Sequence, residues 1–273
     1  MRDLAVRLTT QEQISLRAAA KVDFKAYDLF LKGQDLSNRR SREDLEEAAK
    51  NFEEAIKLDP TFARAYGALA IVLARQFRAG SHAMPQEALN HALELTQQAV
   101  EIDSSIPQVL WANSFIHMYR AEFDKAIAAA EKMLKLAPNY ADGYGLLALI
   151  NNNLGNGKKA IEYLEKGMKL NPYYSFDYPY NLGRANYLLG KYEEAAEELL
   201  KALERNEVAF MPRLYLAATY AKQKRIEDAE WEVEQLEVVR PGISLSGMRH
   251  ILPQKAELLQ ALQDDLKAAG MPE

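Results

Sequence analysis

Four histidines, His82, His91, His117 and His250, are the first residues to weigh for metal or proton-transfer chemistry. No two of them stand at i, i+3 or i+4, so no helix face offers the converging nitrogen pair that a zinc site needs. With zero Cys in 273 residues there is no thiolate ligand, no cysteine nucleophile and no disulfide. The stretch Gly155-Asn156-Gly157-Lys158 has the composition of a phosphate-binding loop. It lacks the G-x-x-x-x-G-K-[ST] spacing, and no strand-forming run precedes it. Paired carboxylates at Glu53-Glu54, Glu193-Glu194 and Glu197-Glu198 have the type needed for acid–base work. They fall early in helical segments, on the solvent side, where negative charge complements the helix dipole. These residues predict no catalytic, cofactor or metal site, and therefore no enzyme in this chain by itself.

The bulk numbers narrow the class further. An apolar fraction of 48% with 27% charged residues describes a folded, soluble chain. A net charge of −5 argues against general nucleic-acid binding, which requires a basic stripe to neutralise phosphates. No run approaches the roughly 18 apolar residues that would span a bilayer. The opening MRDLAVRLTTQEQ carries charges throughout and has no apolar core of a secretory signal. The expectation is a cytoplasmic protein without membrane insertion.

The elements that would position any site are helices, and they recur. Strings of the form Ala-x-x-x-aromatic/Leu-x-x-Ala close on a proline. Ala48-Phe52-Ala55 leads to Pro60, Ala126-Ala130-Met133 to Pro138, and Ala160-Leu164-Gly167 to Pro172. Ala195-Leu199-Ala202 leads to Asn206-Glu207 without a proline, and Ala229-Val233-Leu236 leads to Pro241. Pro138 and Pro172 are 34 residues apart. Upstream of these strings stand Tyr66 with Leu69-Ala70, Tyr144 with Leu147-Ala148, Leu182-Gly183, and Leu216-Ala217. Small residues let two helices approach, large ones fill the space between them, and the proline ends the second helix.

This period and residue pattern resemble the tetratricopeptide repeat. The resemblance implies an all-α fold, a right-handed superhelix (α-solenoid) of about six helix-turn-helix repeats. They read as 24–62, 63–106, 107–140, 141–175, 176–209 and 210–243. Residues 1–23 read as an N-terminal capping helix (best over 9–20), and 244–273 as a C-terminal helical cap. That cap is expected to hold a short helix near 244–250 and a longer one over 253–269. Two stretches resemble something narrower. Ala26 to Ala70, with its inserted loop, and the tail from Val238 to Glu273 are similar to the C-terminal helical region of bacterial class III adenylate/guanylate cyclases and related signalling proteins. The tail carries Pro241, Gly242, Ser244, Leu266, Ala269, Gly270, Pro272 and Glu273 at the matching places. The cyclase domain itself has no counterpart in these residues.

The repeat resemblance also implies where a ligand would lie, on the first helices that line the concave groove. There the register places Arg64, Gly67 and Arg75 in the second repeat, and Trp111, Phe115 and Met118 in the third. It places Gly145, Leu149 and Asn152 in the fourth repeat, and Tyr180, Arg184 and Tyr187 in the fifth. Trp, Tyr and Arg dominate binding hot spots because they desolvate large areas at modest entropic cost. Gly67 and Gly145 are expected to leave room for a ligand backbone. The carboxylate clamp that reads chaperone tails is not expected, because Asp28 and Gly67 stand where its donors would. The run from Tyr173 to Tyr180 spans a repeat junction, where aromatics plug the seam, although an exposed patch has the same composition. The function expected is a scaffold that binds a protein or peptide partner in the groove. The alternatives are a regulatory or sensor domain of a bacterial nucleotide cyclase, and a homo-oligomerisation module.

Overall fold

The structure, a computed structural model, describes residues 22–39, 41–78, 85–248 and 252–273. The expected capping helix over 9–20 lies outside them. Among the described residues there are thirteen helices and no strand. They are α1 (Phe24–Arg39), α2 (Arg42–Leu58), α3 (Ala63–Arg78), α4 (Pro85–Ile102), α5 (Pro107–Tyr119), α6 (Phe123–Leu136) and α7 (Ala141–Asn153). Next come α8 (Gly157–Leu170), α9 (Asp177–Leu188), α10 (Tyr192–Arg205), α11 (Phe210–Lys222), α12 (Ile226–Val239) and α13 (Ala256–Ala268). The chain divides into two compact units, Met1–Ile116 and His117–Glu273, with the boundary inside α5.

In the first unit α1 packs on α2 and α3 on α4, and α2 joins the two pairs through α3. Ser41 caps α2: its hydroxyl oxygen accepts from the Asp44 backbone N–H at 3.0 Å. Glu43 and Asp44 in the first turn and Lys57 in the last complement the helix dipole. Close approach rests on a missing side chain at Gly33, where a β-carbon would sit 2.7 Å from the Phe52 ring. Phe30, Phe52 and Phe62 fill the space around it, with ring centroids 5.8 and 4.9 Å from Phe30.

In the second unit the pairs are α7/α8, α9/α10 and α11/α12. The first helices α7, α9 and α11 also touch one another in sequence. Each pair turns through one residue in the left-handed region. Gly155 and Gly190 do so at φ 82° and 73°, and Lys224 at 61°. Ala121 does the same at 57° in the turn before α6. These four lie 34 or 35 residues apart, so the repeat is written in the backbone as well as in the side chains. The turn residues leave each second helix running back along the first, burying alternate Ala and Leu positions such as Ala160, Leu164, Ala195 and Leu199.

Beyond α12 the chain turns at Pro241-Gly242 and again over 245–247. Met248 is helical, and 249–251 fall outside the described residues. The helix read over 253–269 is α13. Its apolar residues Leu259, Leu262 and Leu266, with Leu252, Ala269 and Met271, join one core with Leu199, Leu214, Leu216 and Leu236.

Candidate functional site: the first-helix face

In the second unit the face built by α7, α9 and α11 carries the chain's own C-terminal segment. Arg184, from α9, is 2% exposed. Its Nη2 donates to Asn153 Oδ1 at 2.9 Å and to Gln254 Oε1 at 3.3 Å. Its guanidinium stacks 4.9 Å from the Tyr215 ring centroid and 5.8 Å from that of Tyr180. The Tyr215 hydroxyl donates to the same Gln254 Oε1 at 3.0 Å. One turn along α9, the Tyr187 hydroxyl donates to Asp265 Oδ2 at 2.5 Å, and Lys222 pairs with Asp265 Oδ1 at 3.3 Å. Burial and the neighbouring Asp265 carboxylate both push the Tyr187 hydroxyl well above the ordinary tyrosine range, so it donates at any physiological pH. The Lys255 backbone N–H donates to the Asn153 carbonyl at 3.1 Å, which ties the start of α13 to the end of α7.

Each residue expected to line the groove has a definite place. Tyr180, Arg184 and Tyr187 are buried as just described. Asn152 is buried too, donating from Nδ2 to the Asn181 carbonyl at 2.9 Å, so it joins α7 to α9. Met118 is buried, while Leu149 and Gly145 are half-buried. The open side of Gly145 faces the Tyr178 hydroxyl, 3.4 Å from where a β-carbon would stand. In the first unit Gly67 is buried, and its missing β-carbon would meet that of Ala112 at 3.2 Å. The room expected for a ligand backbone is, at both glycines, room for a neighbouring first helix. Arg64 is half-buried with its guanidinium 4.7 Å above the Phe30 ring. Arg75 donates from Nη1 to the Ser37 carbonyl at 2.9 Å and to Ser37 Oγ at 2.7 Å, satisfying a carbonyl at the end of α1. Trp111, half-buried, stacks on Phe115 with centroids 4.9 Å apart and planes 20° from parallel.

Several participants escaped sequence reasoning: Asn153, Tyr215, Lys222, Gln254 and Asp265. For Asp265 the signal lay in the amphipathic pattern of α13, which needs an apolar surface to cover and sets Asp265 beside Leu262 and Leu266; the other four lie outside that helix. The first repeat also shifts. Gly33 faces Phe52 as Gly183 faces Leu199, so Gly33 is the small first-helix residue and Phe30 stands where Asp28 was read. The aromatic run divides between roles. Tyr178 is buried and donates to the Ala141 carbonyl at 2.8 Å, and Tyr174 lies 4.5 Å under the Arg205 guanidinium. Tyr173 is exposed.

Titratable chemistry is sparse. Among the described residues no group of three or more His, Asp or Glu is placed to hold a metal ion. The tightest charge cluster surrounds Glu122, which accepts from Arg120 Nε at 3.0 Å and Lys125 Nζ at 3.2 Å, and meets His117 Nδ1 at 2.8 Å. Desolvation works against the charged form, but these donors outweigh it and hold the carboxyl at about 2. No helix among the described residues is long and apolar enough to cross a membrane.

Sequentially paired helices, hinged from Ala121 onward on left-handed turn residues 34 or 35 positions apart, define a helix-repeat protein. In the second unit its first-helix face carries the chain's own α13. Family models bear out the repeat: residues 38–76 match one described as "TPR repeat", and 141–174 and 180–242 match models described as "Tetratricopeptide repeat". The chain belongs to the tetratricopeptide repeat proteins. Such repeat regions typically serve as protein–protein interaction modules and are typically non-catalytic. Among solved structures, one of the APC/C hetero-tetramer Cut9–Hcn1 is similar with a TM-score of 0.65 at 16% identity, over 95% of this chain and 46% of that one. PilF of Pseudomonas aeruginosa is similar at 0.54 and 18%, over 80% and 93%. PilW, a type IV pilus biogenesis factor, is similar at 0.55 and 15%, over 75% and 89%. At these identities the likeness is one of fold. A curated relative, "Putative adenylate cyclase 3" of Rhizobium meliloti (strain 1021), is 30% identical over 105 residues, which is 38% of this chain and 18% of that protein.

Proposed function

We propose that this chain is a protein-binding scaffold that receives a segment of a partner on the first-helix face. The observation that carries the reading is the seating of α13. That face in the second unit takes α13 by its apolar side, Leu259, Leu262 and Leu266, as helix-in-groove recognition does, with Tyr187 and Lys222 on Asp265 and with Arg184 and Tyr215 on Gln254 just before the helix. The corresponding positions of the first unit supply Arg64 and Trp111, both half-buried and of the types that anchor interfaces. The test is a photoreactive amino acid at position 111 in the source cell, followed by affinity measurement with the purified captured protein. Trp111→Ala should weaken that binding by about thirtyfold, the loss of one hot spot of roughly 2 kcal/mol. Unchanged affinity in both Trp111→Ala and Arg64→Ala overturns the assignment of the face.

A second reading is favoured by the similarity to the Rhizobium meliloti relative: the chain acts as the regulatory region of a bacterial nucleotide cyclase. The match covers 18% of that protein. The discriminating observation is the coding sequence ahead of Met1. An in-frame class III catalytic domain supports the reading, and an in-frame stop codon with a ribosome-binding site removes it.

A further inference from the structure

The tail leaves the chemistry of Arg184 incomplete. A guanidinium is all donor and permanently charged, and this one is 2% exposed. Its Nη2 meets two amide oxygens, Asn153 Oδ1 at 2.9 Å and Gln254 Oε1 at 3.3 Å. Its Nε is buried with no acceptor among the described residues, and so are the amide nitrogens Asn153 Nδ2 and Gln254 Nε2. All three atoms belong to the residues of one contact cluster, which has a positive charge at its centre. No carboxylate among the described residues is in ion-pair range of that charge; Asp265, on the same face, is engaged by Tyr187 and Lys222. The Tyr180 and Tyr215 rings, centred 5.8 and 4.9 Å away, are neutral. A cation taken out of water is ordinarily held by a counter-charge, and here amides stand in that place.

We propose that this place is a carboxylate site, filled by the chain's own Gln254 as an uncharged stand-in, and that a partner segment displaces the tail by presenting a glutamate there. The inference rests on the reading of the first-helix face as a receiving surface and adds the chemistry of what it receives. Gln254 lies in the lead-in to α13 and is half-buried, so the contact comes from the edge of the seat and not from the packed side of the helix. Glutamate has the shape of glutamine. One of its oxygens would take the place of Oε1, accepting from Arg184 Nη2 and from the Tyr215 hydroxyl. The other would replace Nε2, a nitrogen that donates to nothing, so the exchange breaks no hydrogen bond. The guanidinium is already out of water in the folded chain, so an incoming carboxylate bears only its own desolvation. In return two full charges attract where water screens them little. Leu259, Leu262 and Leu266 seat the tail itself, so a competing segment needs an apolar helix face after its glutamate. The tether holds the tail at an effective concentration of roughly millimolar, and the ion pair is the advantage a free segment has over it.

The probes are two fluorescent peptides spanning residues 252–273, one of native sequence and one carrying Gln254→Glu. Each is titrated by anisotropy against the full chain bearing Leu266→Ala, which loosens the resident α13. The Gln254→Glu peptide should bind about tenfold more tightly than the native one, and Arg184→Gln in the full chain should abolish that preference. A second measurement needs no change at Arg184. In the full chain with Gln254→Glu as its sole substitution, amide exchange in α9 and α13 should slow by about tenfold, whereas Gln254→Met should speed it. Equal affinities, a weaker Gln254→Glu peptide, or no binding by either at about 1 mM overturn the proposal. So does exchange that is unchanged or faster in the Gln254→Glu chain. So does protection of the unmodified chain by acetate alone to the same degree, which would give the site to a free anion. Equal affinities beside a loss of partner binding in Trp111→Ala would sink this inference and leave the scaffold reading standing.

Discussion

Two turn residues at equivalent places in the repeat should respond to substitution with opposite signs. Gly190 and Lys224 both sit in the left-handed region, at φ 73° and 61°. A β-carbon in that conformation costs about 1–2 kcal/mol for an ordinary L-residue. Glycine avoids that cost but makes the unfolded chain more flexible, a penalty of about 0.4–1 kcal/mol. The difference leaves glycine ahead by roughly 0.5–1 kcal/mol. At Gly190 a new β-carbon meets nothing within 4 Å, so Gly190→Ala isolates this backbone term and should destabilise by that amount. Lys224 is exposed, so Lys224→Gly should stabilise by the same amount. Gly155→Ala serves as the third point. Its β-carbon would come 3.3 Å from Leu258 Cδ1, so it should cost more than Gly190→Ala unless α13 shifts. Urea titrations followed by circular dichroism measure all three, and thermal melts should move about 2–4 °C per kcal/mol. A destabilised Lys224→Gly, or a Gly190→Ala that leaves the midpoint unmoved, refutes the reasoning about these turns.

Three further outcomes follow from the packing and charge. Leu266→Ala, at a fully buried position of α13, should cost about 2–5 kcal/mol in a urea titration. It should also raise amide exchange in α9, whose Arg184 and Tyr187 the tail engages. Glu122 is held at about 2 in the folded chain against an ordinary 4.5, so its stabilisation is complete above pH 4.5 and is lost as pH falls toward 2. Glu122→Gln should flatten the acid limb of stability in that window, measured by melts at stepped pH. Arg213 Nη1 donates to Glu232 Oε2 at 3.0 Å, and Glu232 is buried. Arg213→Met should therefore cost about 3–5 kcal/mol by stranding that carboxylate, and adding Glu232→Gln should restore most of the loss in a double-mutant cycle.

The repeats are legible in the sequence because their determinants are local. Pro138 and Pro172 mark a 34-residue step, and small residues such as Gly183 face large ones such as Leu199 at the spacing two packed helices require. The first repeat misleads by the same logic. Gly183 precedes Ala195 by 12 residues, whereas Gly33 precedes Ala48 by 15, so counting from the helix start displaces the register. The left-handed residues at Ala121 and Lys224 carry no glycine signal, and only backbone geometry reveals them. The partners of the groove residues are least legible. Arg184 meets Gln254 seventy positions on, and Tyr187 meets Asp265 seventy-eight on, separations that no periodicity encodes.

That distance explains why composition suggested a recognition face without indicating that the chain's own tail sits on it. Tyr187, Arg184 and Tyr215 on the first helices meet the tail, and residues of these types would serve a partner's helix equally well. Desolvation of flat aromatic area and satisfaction of a few polar groups do not depend on whether the incoming helix is covalently attached. The tether supplies a high effective concentration, so the attached helix holds the seat against free ones of equal contact quality. The seat is also chemically selective. Arg184 is a buried cation with no carboxylate in ion-pair range among the described residues. It is stabilised instead by two tyrosine faces and by the amide oxygens of Asn153 and Gln254. A helix bringing only methyl groups to that point would leave a guanidinium donor buried without an acceptor. The polar contacts therefore favour the chain's own tail on the second unit's face over a helix that brings only apolar side chains.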